Sequence, residues 1–159
     1  MRLIGASQAD ALQSWNLVES AKEDTMRARL IAYWIATSLI GLETLAGGAT
    51  DLMHGRESLV SGRFVADVIT HLGYPVYLLT ILGVWKLLGA IVFFAPRVPR
   101  LKESAYAGVV FELTGAAASW VAHGDPANEL IAPLVLASIA LISWALRPPD
   151  RRLGVIVRP

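Results

Sequence analysis

Three ionisable residues interrupt stretches of the sequence that are otherwise almost free of charge: Glu43, Lys86 and Glu112. A charge inside a bilayer is costly unless it is paired, so such residues mark a functional site or a contact between helices. Lys86 lies nine residues before Ala95 and Glu112 eight residues after Ser104, where their stretches end. At 1.5 Å per residue the two depths match. We therefore predict a Lys86–Glu112 ion pair between antiparallel neighbouring helices.

Glu43 is left without a cation, because two carboxylates then face one ammonium group. Either Glu43 holds a proton, or it reaches water or a ligand. The first alternative makes all three residues polar contacts between helices. The second suggests a polar pocket in which Glu43 exchanges protons with a small lipophilic ligand, of which a quinone is the candidate cofactor. The candidate ligand-binding residues are Glu43, Lys86, Glu112, Asp51 and His71, and no catalytic residue is predicted.

The three histidines, His54, His71 and His123, fall in or next to the two loops that follow the first and third predicted spans. Carboxylates lie in these loops too, and imidazole with carboxylate can bind a metal ion without cysteine. The spacings match no compact metal motif, so we predict no metal ligand. Instead, the histidines either form a polar surface that hydrogen-bonds a ligand or a partner, or are exposed residues without a role.

Four apolar stretches have the length that a helix needs to cross a bilayer. They are residues 30–50, 74–95, 104–122 and 130–146. The composition, 55% hydrophobic and 17% charged, disfavours a soluble domain, and a net charge of +1 excludes nucleic-acid binding by charge. The absence of cysteine excludes disulfides, iron–sulfur clusters and thiol chemistry. We predict an all-α integral membrane four-helix bundle with the lipid bilayer as its environment.

Basic residues predict the orientation of this bundle. Eleven Lys and Arg residues lie in the N-terminal segment, the loop between spans two and three, and the C-terminal tail, against two in the other loops. The positive-inside rule then places both termini in the cytoplasm. Residues 1–28 form a polar segment, either a short surface helix or a tail without fixed structure. Residues 29–147 form the bundle, and residues 148–159 are a cytoplasmic tail.

Small residues recur at helical spacing in three of the spans. In a membrane such residues allow helices to approach closely. We expect each set to pack against a neighbouring helix: Ala105, Gly108, Glu112, Gly115 and Ser119 in the third span; Thr37, Gly41, Thr44, Gly48 and Asp51 in the first; Gly83, Lys86 and Ala90 in the second.

Several motifs between residues 71 and 119 are similar to those of a known family. They are HLGYP at 71–75, YLLTILGVWKLLGA at 77–90, APR at 95–97, PRLKE at 99–103 and FELTGAAAS at 111–119. The sequence resembles the DoxX-like family of small four-span membrane proteins over about residues 30–146. The resemblance implies a four-helix membrane bundle in which Lys86 and Glu112 occupy the family's characteristic basic and acidic positions.

The resemblance also implies a function. The family's namesake is the small membrane subunit of a thiosulfate:quinone oxidoreductase, and distant members act as membrane chaperones or cargo-binding proteins. We therefore expect a multi-pass protein of the bacterial cytoplasmic (inner) membrane, a non-catalytic subunit of a quinone-linked redox complex whose chemistry resides in a partner. The alternative is an assembly factor or interaction protein without a redox role. The partner would be a membrane or redox protein, or a second copy in a homo-oligomer.

Overall fold

The computed structural model describes residues 3–54 and 64–152, with residues 3–11 and 150 described by their backbone alone. Arg56 and Arg63, the basic residues predicted on the less positive side, lie outside these ranges, as does the end of the tail. Every regular element in the described residues is helical. The helices are α1 (Leu3–Leu52), α2 (Val65–His71), α3 (Tyr77–Phe94), α4 (Pro99–His123) and α5 (Ile131–Leu146), with 3-10 turns at Ala127–Leu130 and Pro149–Arg151.

Four of these helices are long and apolar enough to span a membrane: α1, α3, α4, and α5 with the turn before it. Each contacts two neighbours, in the ring order α1, α3, α4, α5. Large apolar side chains cover the outside of this ring, and Trp85 and Phe111 are 69% and 75% exposed. An apolar exterior around a polar-containing interior is the arrangement that lipid requires. The predicted all-α four-helix membrane bundle is therefore confirmed.

The first helix differs from the prediction because it does not break at residue 28. It continues for 50 residues from Leu3 to Leu52. The reason is local, since no glycine or proline occurs between Gly5 and Gly41. Residues 12–32 are all exposed, and Arg29 donates to the Ala145 carbonyl of α5 at 3.3 Å. We call the exposed part of α1 that precedes and includes Arg29 the extension of α1.

The short helix α2 is absent from the prediction, although Val65, Val68 and Ile69 follow a helical spacing. It ends at His71, and the turn after it contains Gly73, whose φ of 82° is in the left-handed region that favours glycine. The next span therefore begins at Tyr77 rather than at residue 74. Residues 74–76 instead complete the turn from α2 into α3.

The core lies near the connection between α3 and α4, which we call the connection end of the bundle (residues 95–98). Around it, Thr37 Oγ1 and Tyr106 OH each lie 2.7 Å from Ser143 Oγ, which links α1, α4 and α5 by buried hydroxyl groups. The apolar core consists of Ile40, Phe93, Tyr106, Val109, Leu113, Ala137 and Ala140.

The predicted small-residue faces of α1 and α3 are packed against each other. All five residues of the α1 face are buried, and so are Gly83 and Ala90 of α3. A Cβ placed on Gly41 would meet the Phe94 ring at 2.7 Å, and one placed on Gly48 would lie 3.2 Å from the Gly83 carbonyl. These contacts define two antiparallel helices in close approach, as small residues permit.

The prediction for the third span is wrong for Gly108 and Gly115, whereas Glu112 on the same face does meet Lys86 of α3. No other part of the described chain lies within 4 Å of a Cβ placed on Gly108 or Gly115. The larger side chains of α4 fill the space between helices, which leaves both glycines on the exposed side of the helix. The buried face of α4 consists of Lys102, Tyr106, Val109, Leu113, Ala117 and Trp120.

Candidate functional site

Lys86 lies between two carboxylates in the middle of the bundle. Its Nζ is 2.7 Å from Glu112 Oε1 and 2.8 Å from Asp51 Oδ2. The Lys86–Glu112 ion pair predicted from matched depths is confirmed. Asp51 also contacts Lys86, because the last turn of α1 packs against Gly83 of α3, about one turn before Lys86. We call Glu43, Asp51, Lys86 and Glu112 the lysine cluster.

Asp51 is the most enclosed member of the lysine cluster. Its side chain is 3% exposed, whereas Lys86 is 15% and Glu112 25% exposed. Asp51 Oδ2 is buried and receives no hydrogen bond of good geometry, so the Lys86 ammonium compensates its charge through proximity. A buried carboxylate in this position depends strongly on its cation. Glu112 is more accessible from outside the bundle than Asp51 or Lys86.

Glu43 approaches the same lysine from about two turns before Asp51 in α1. A Cβ placed on Gly47 would lie 3.4 Å from Lys86 Nζ and 3.7 Å from Glu43 Oε1. Thr44 Oγ1 donates to Glu43 Oε2 at 3.5 Å, a long contact. The distance of Glu43 from residue 30 predicted a position in the half of the bundle opposite to the connection end. Instead, Glu43 lies near the connection end, because neighbouring Gly41 meets Phe94, the last residue of α3. That distance misleads because α1 continues beyond the end of α3.

The charges of the lysine cluster do not balance. Three carboxyl groups, Glu43, Asp51 and Glu112, surround one ammonium group, so full ionisation would leave two uncompensated negative charges. Uncompensated charge is costly in an apolar medium. The cluster is therefore suited to hold and release protons or to bind a cationic or hydrogen-bonding group.

A second group of ionisable residues lies at the opposite end, which we call the histidine end (His71, His123 and Asp125). His71 Nε2 is 3.0 and 3.1 Å from the two carboxylate oxygens of Asp125. His123 Nδ1 is 2.9 Å from Asp125 Oδ2, and the two imidazole rings are 4.3 Å apart. The hydrogen bond from His71 lowers the pKa of the Asp125 carboxyl.

Helix ends place these three side chains. His71 and His123 are the last residues of α2 and α4. Beyond His123, Gly124 has a φ of 84°, its N–H donates to the Val121 carbonyl, and the Asp125 N–H donates to the Trp120 carbonyl. This Schellman motif reverses the chain, so that the Asp125 side chain lies beside His123 at the end of α4.

The structure thus separates the predicted ligand-binding residues into two places. Glu43, Asp51, Lys86 and Glu112 converge, whereas His71 lies at the histidine end. Glu112 and His123 are eleven residues apart on α4, a separation of about 16 Å along the helix. The third histidine, His54, contacts Thr80 Oγ1 at 3.1 Å and belongs to neither group.

A cleft of about 550 Å³ opens beside the histidine end. Its walls come from α2, from the end of α4 and from the turn that leads into α5. The lining residues are Phe64, Asp67, Val68, His71, Trp120, Asp125, Pro126 and Glu129.

Two cations at the connection end are buried, although the sequence pattern predicts solvated flanking charges there. Lys102 is 1% exposed, and its Nζ donates to the carbonyls of Val92 and Phe93 at 2.7 Å, which caps α3. Arg147 is 3% exposed and donates to Glu103 Oε1 at 2.7 Å. The position of Lys102, four residues before Tyr106 on the buried face of α4, is the sequence signal that could have revealed it.

The histidine end and the lysine cluster both lie within the part of the chain that matches a protein family. The model of the DoxX-like family matches residues 35–143. No curated protein and no solved structure matches the chain.

Proposed function

The chain belongs to the DoxX-like family, and on that premise we propose that it is a non-catalytic membrane subunit of a quinone-linked redox complex. The observation that supports this proposal is the lysine cluster, in which three carboxyl groups surround Lys86 within the membrane-spanning part of the bundle. Carboxyl groups of unbalanced charge in an apolar medium are suited to proton exchange. The residues of this chain would bind the ligand and exchange protons, and a partner protein would supply electrons.

Glu112 is the residue through which a lipophilic ligand would reach the cluster. It is more exposed than Asp51 and Lys86, and Gly108 and Gly115 leave open space one turn to either side of it. A planar head group could approach from the bilayer along this face of α4 without a movement of helices. Reduction of a quinone to a quinol takes up two electrons and two protons. While it is ionised beside Lys86, Glu112 can only accept a hydrogen bond. Once it has taken up a proton from Glu43 through the cluster, Glu112 would donate that proton, one of the two needed, to the ligand.

Binding of a short-chain ubiquinone analogue to the full chain in lipid nanodiscs tests this proposal by titration calorimetry. Glu112→Gln and Glu43→Gln remove proton exchange but keep size and hydrogen bonding. We expect Glu112→Gln to weaken binding and both variants to lower quinone-dependent turnover of the native complex. Glu23→Gln is the matched control, since Glu23 lies exposed on the extension of α1. Unchanged binding and turnover in folded Glu43→Gln and Glu112→Gln proteins would overturn the proposal.

The open stripe of α4 favours a second candidate, an assembly factor or interaction protein. Gly108 and Gly115 face away from their own bundle, and small residues on an exposed helix face allow another membrane helix to approach. Gly108→Leu and Gly115→Leu should then reduce the size of the complex seen by native electrophoresis of solubilised membranes. Gly89→Leu is the control, because Gly89 of α3 also has open space around its Cα. Complexes of equal size in all three variants would contradict this candidate.

We further propose that the connection end faces the cytoplasm of a bacterial inner membrane, with both termini on that side. Apart from Lys86, every Lys and Arg in the described residues lies at that end or on the extension of α1. Cytoplasmic flanks carry such an excess of positive charge. A C-terminal green fluorescent protein fusion should fluoresce, and a C-terminal alkaline phosphatase fusion should be inactive. The reverse pair of results would refute this orientation.

A further inference from the structure

We propose that His71, His123 and Asp125 bind a divalent transition-metal ion of the Zn²⁺ class at the histidine end of the bundle. The site is separate from the lysine cluster and does not depend on the quinone-linked function. Three residues from α2, from α4 and from the turn after α4 converge there, although 54 positions separate the first from the last. The sequence spacing conceals this convergence, because only two of the three residues are close in the chain.

The distances between the donor atoms suit a metal ion. One donor atom from each residue can be chosen so that all three lie within 4.8 Å of one another. Zn–N and Zn–O bonds of about 2.1 Å at tetrahedral angles need donors about 3.4 Å apart. The nitrogen–oxygen distances of 2.9–3.1 Å lie just below that value. Small rotations of these side chains would therefore bring the donor atoms to bonding positions around one ion.

The backbone holds the three side chains in place without a metal ion. Gly124 turns the chain after α4, and Asp125 donates its N–H to Trp120 in the same motif. A similar motif follows α2, where the Tyr74 N–H donates to the Ile69 carbonyl. Because both turns are set by hydrogen bonds, little conformational freedom is left to lose when an ion binds.

The electrostatic surroundings favour a cation. Asp67 and Glu129 line the cleft beside Asp125, and none of the described lining residues is Lys or Arg. The carbonyl end of α4, a 25-residue helix, also lies at the site and carries partial negative charge. His71 and His123 are 47% and 42% exposed, so an ion can enter from solvent.

The donor set selects the class of ion. Two imidazole nitrogens and a carboxylate suit Zn²⁺, Fe²⁺, Co²⁺ or Ni²⁺, whereas Mg²⁺ and Ca²⁺ prefer oxygen ligands. Three protein ligands also leave at least one position for water, as in open zinc sites. The competing explanation is a cluster held by hydrogen bonds alone, in which Asp125 accepts from both imidazoles. Such a cluster would not bind added metal, whereas a metal site would.

Titration of Zn²⁺ into the full chain in detergent, purified without a histidine tag and treated with EDTA, tests the site by calorimetry. We expect one Zn²⁺ per chain, no heat with Mg²⁺, and a Kd raised at least about tenfold by His71→Gln, His123→Gln or Asp125→Asn. The matched control is His54→Gln, which removes the histidine outside the cluster and should leave the Kd unchanged.

Co²⁺ provides a second readout that does not depend on affinity alone. Bound to two imidazoles and a carboxylate, Co²⁺ should give a visible absorption band, and Zn²⁺ should displace it. Circular dichroism and gel filtration establish that each variant is folded. The proposal is overturned if the wild-type chain binds no Zn²⁺, if the band persists in folded His71→Gln and His123→Gln proteins, or if His54→Gln weakens binding equally.

Discussion

Gly83 and Gly48 meet where α3 and α1 cross, so closely that a Cβ on Gly83 would lie 2.9 Å from the Gly48 carbonyl oxygen. This approach brings Lys86 and Asp51 within ion-pair distance. A Cβ on Gly83 would also lie 2.8 Å from Leu52 Cγ, and one on Gly48 would lie 2.9 Å from Lys86 Cβ. The carbonyl oxygen and Lys86 Cβ cannot rotate away, so neither position accepts a side chain without moving a helix. The lysine cluster therefore depends on two residues that carry no functional group.

Gly83→Ala should lower the free energy of unfolding by about 1–3 kcal/mol, the cost of overpacking a tight contact. The matched substitution Gly108→Ala should not destabilise, because no described atom lies within 4 Å of its Cβ and alanine is the better helix former. Reversible unfolding in sodium dodecyl sulfate from mild detergent measures both. Equal losses for the two variants would contradict the packing described for α1 and α3.

Lys86→Met should destabilise by about 3–5 kcal/mol, because it leaves buried Asp51 beside Glu112 without a cation. Removing the charges together, in Lys86→Met with Asp51→Asn and Glu112→Gln, should restore much of that loss. The same unfolding assay measures the single and triple variants, with exposed Lys22→Met as the control. A triple variant no more stable than Lys86→Met would show that the three residues do not act as one ionic group.

Lys102→Met should destabilise more than Arg100→Met, although both residues belong to the same basic loop in the sequence. Lys102 is buried and caps the carbonyls of Val92 and Phe93, whereas Arg100 is exposed. Leaving buried carbonyls unpaired costs about 1–3 kcal/mol each. Melting temperatures in detergent distinguish the two variants. Equal melting temperatures would argue against the cap.

The hydroxyl chain at Ser143 should show strong coupling. Ser143→Ala leaves the hydroxyls of Thr37 and Tyr106 without their shared partner, at a cost of about 1–3 kcal/mol. Combining it with Thr37→Val and Tyr106→Phe should cost less than the sum of the three single changes, since no unpaired hydroxyl remains. Unfolding free energies of the single and combined variants measure the coupling. Strict additivity would rule out the shared hydrogen bonds.

Much of the fold could be predicted because the bilayer restricts what an apolar chain can form. Four stretches of membrane length that are almost free of charge favour helices, because a helix satisfies its own backbone hydrogen bonds in lipid. Matched depth along two neighbouring helices was enough to pair Lys86 with Glu112. The small-residue face of α1 was also predictable, since Gly41 and Gly48 recur at helical spacing with threonines. These inferences need only distance along a helix and the cost of charge in lipid.

Other features depend on how the helices rotate and slide against one another. Periodicity on α4 predicted that Gly108 and Gly115 pack inward, but packing turns the face with Tyr106 inward and leaves both glycines without a neighbour. The depths of Asp51 and Glu43 in the bundle likewise follow from the register of α1 against α3. The start of the apolar stretch near residue 30 does not predict that register.

The sequence by itself determined a helical membrane bundle, its family and the pairing of Lys86 with Glu112. Only the tertiary structure decided that Asp51 and Glu43 join this pair, and that His71 instead meets His123 and Asp125 about 16 Å away along α4. The physical reason is that hydropathy and helical rise specify position along one helix. Contacts between side chains depend on rotation and register between helices, which arise only when the four helices pack together.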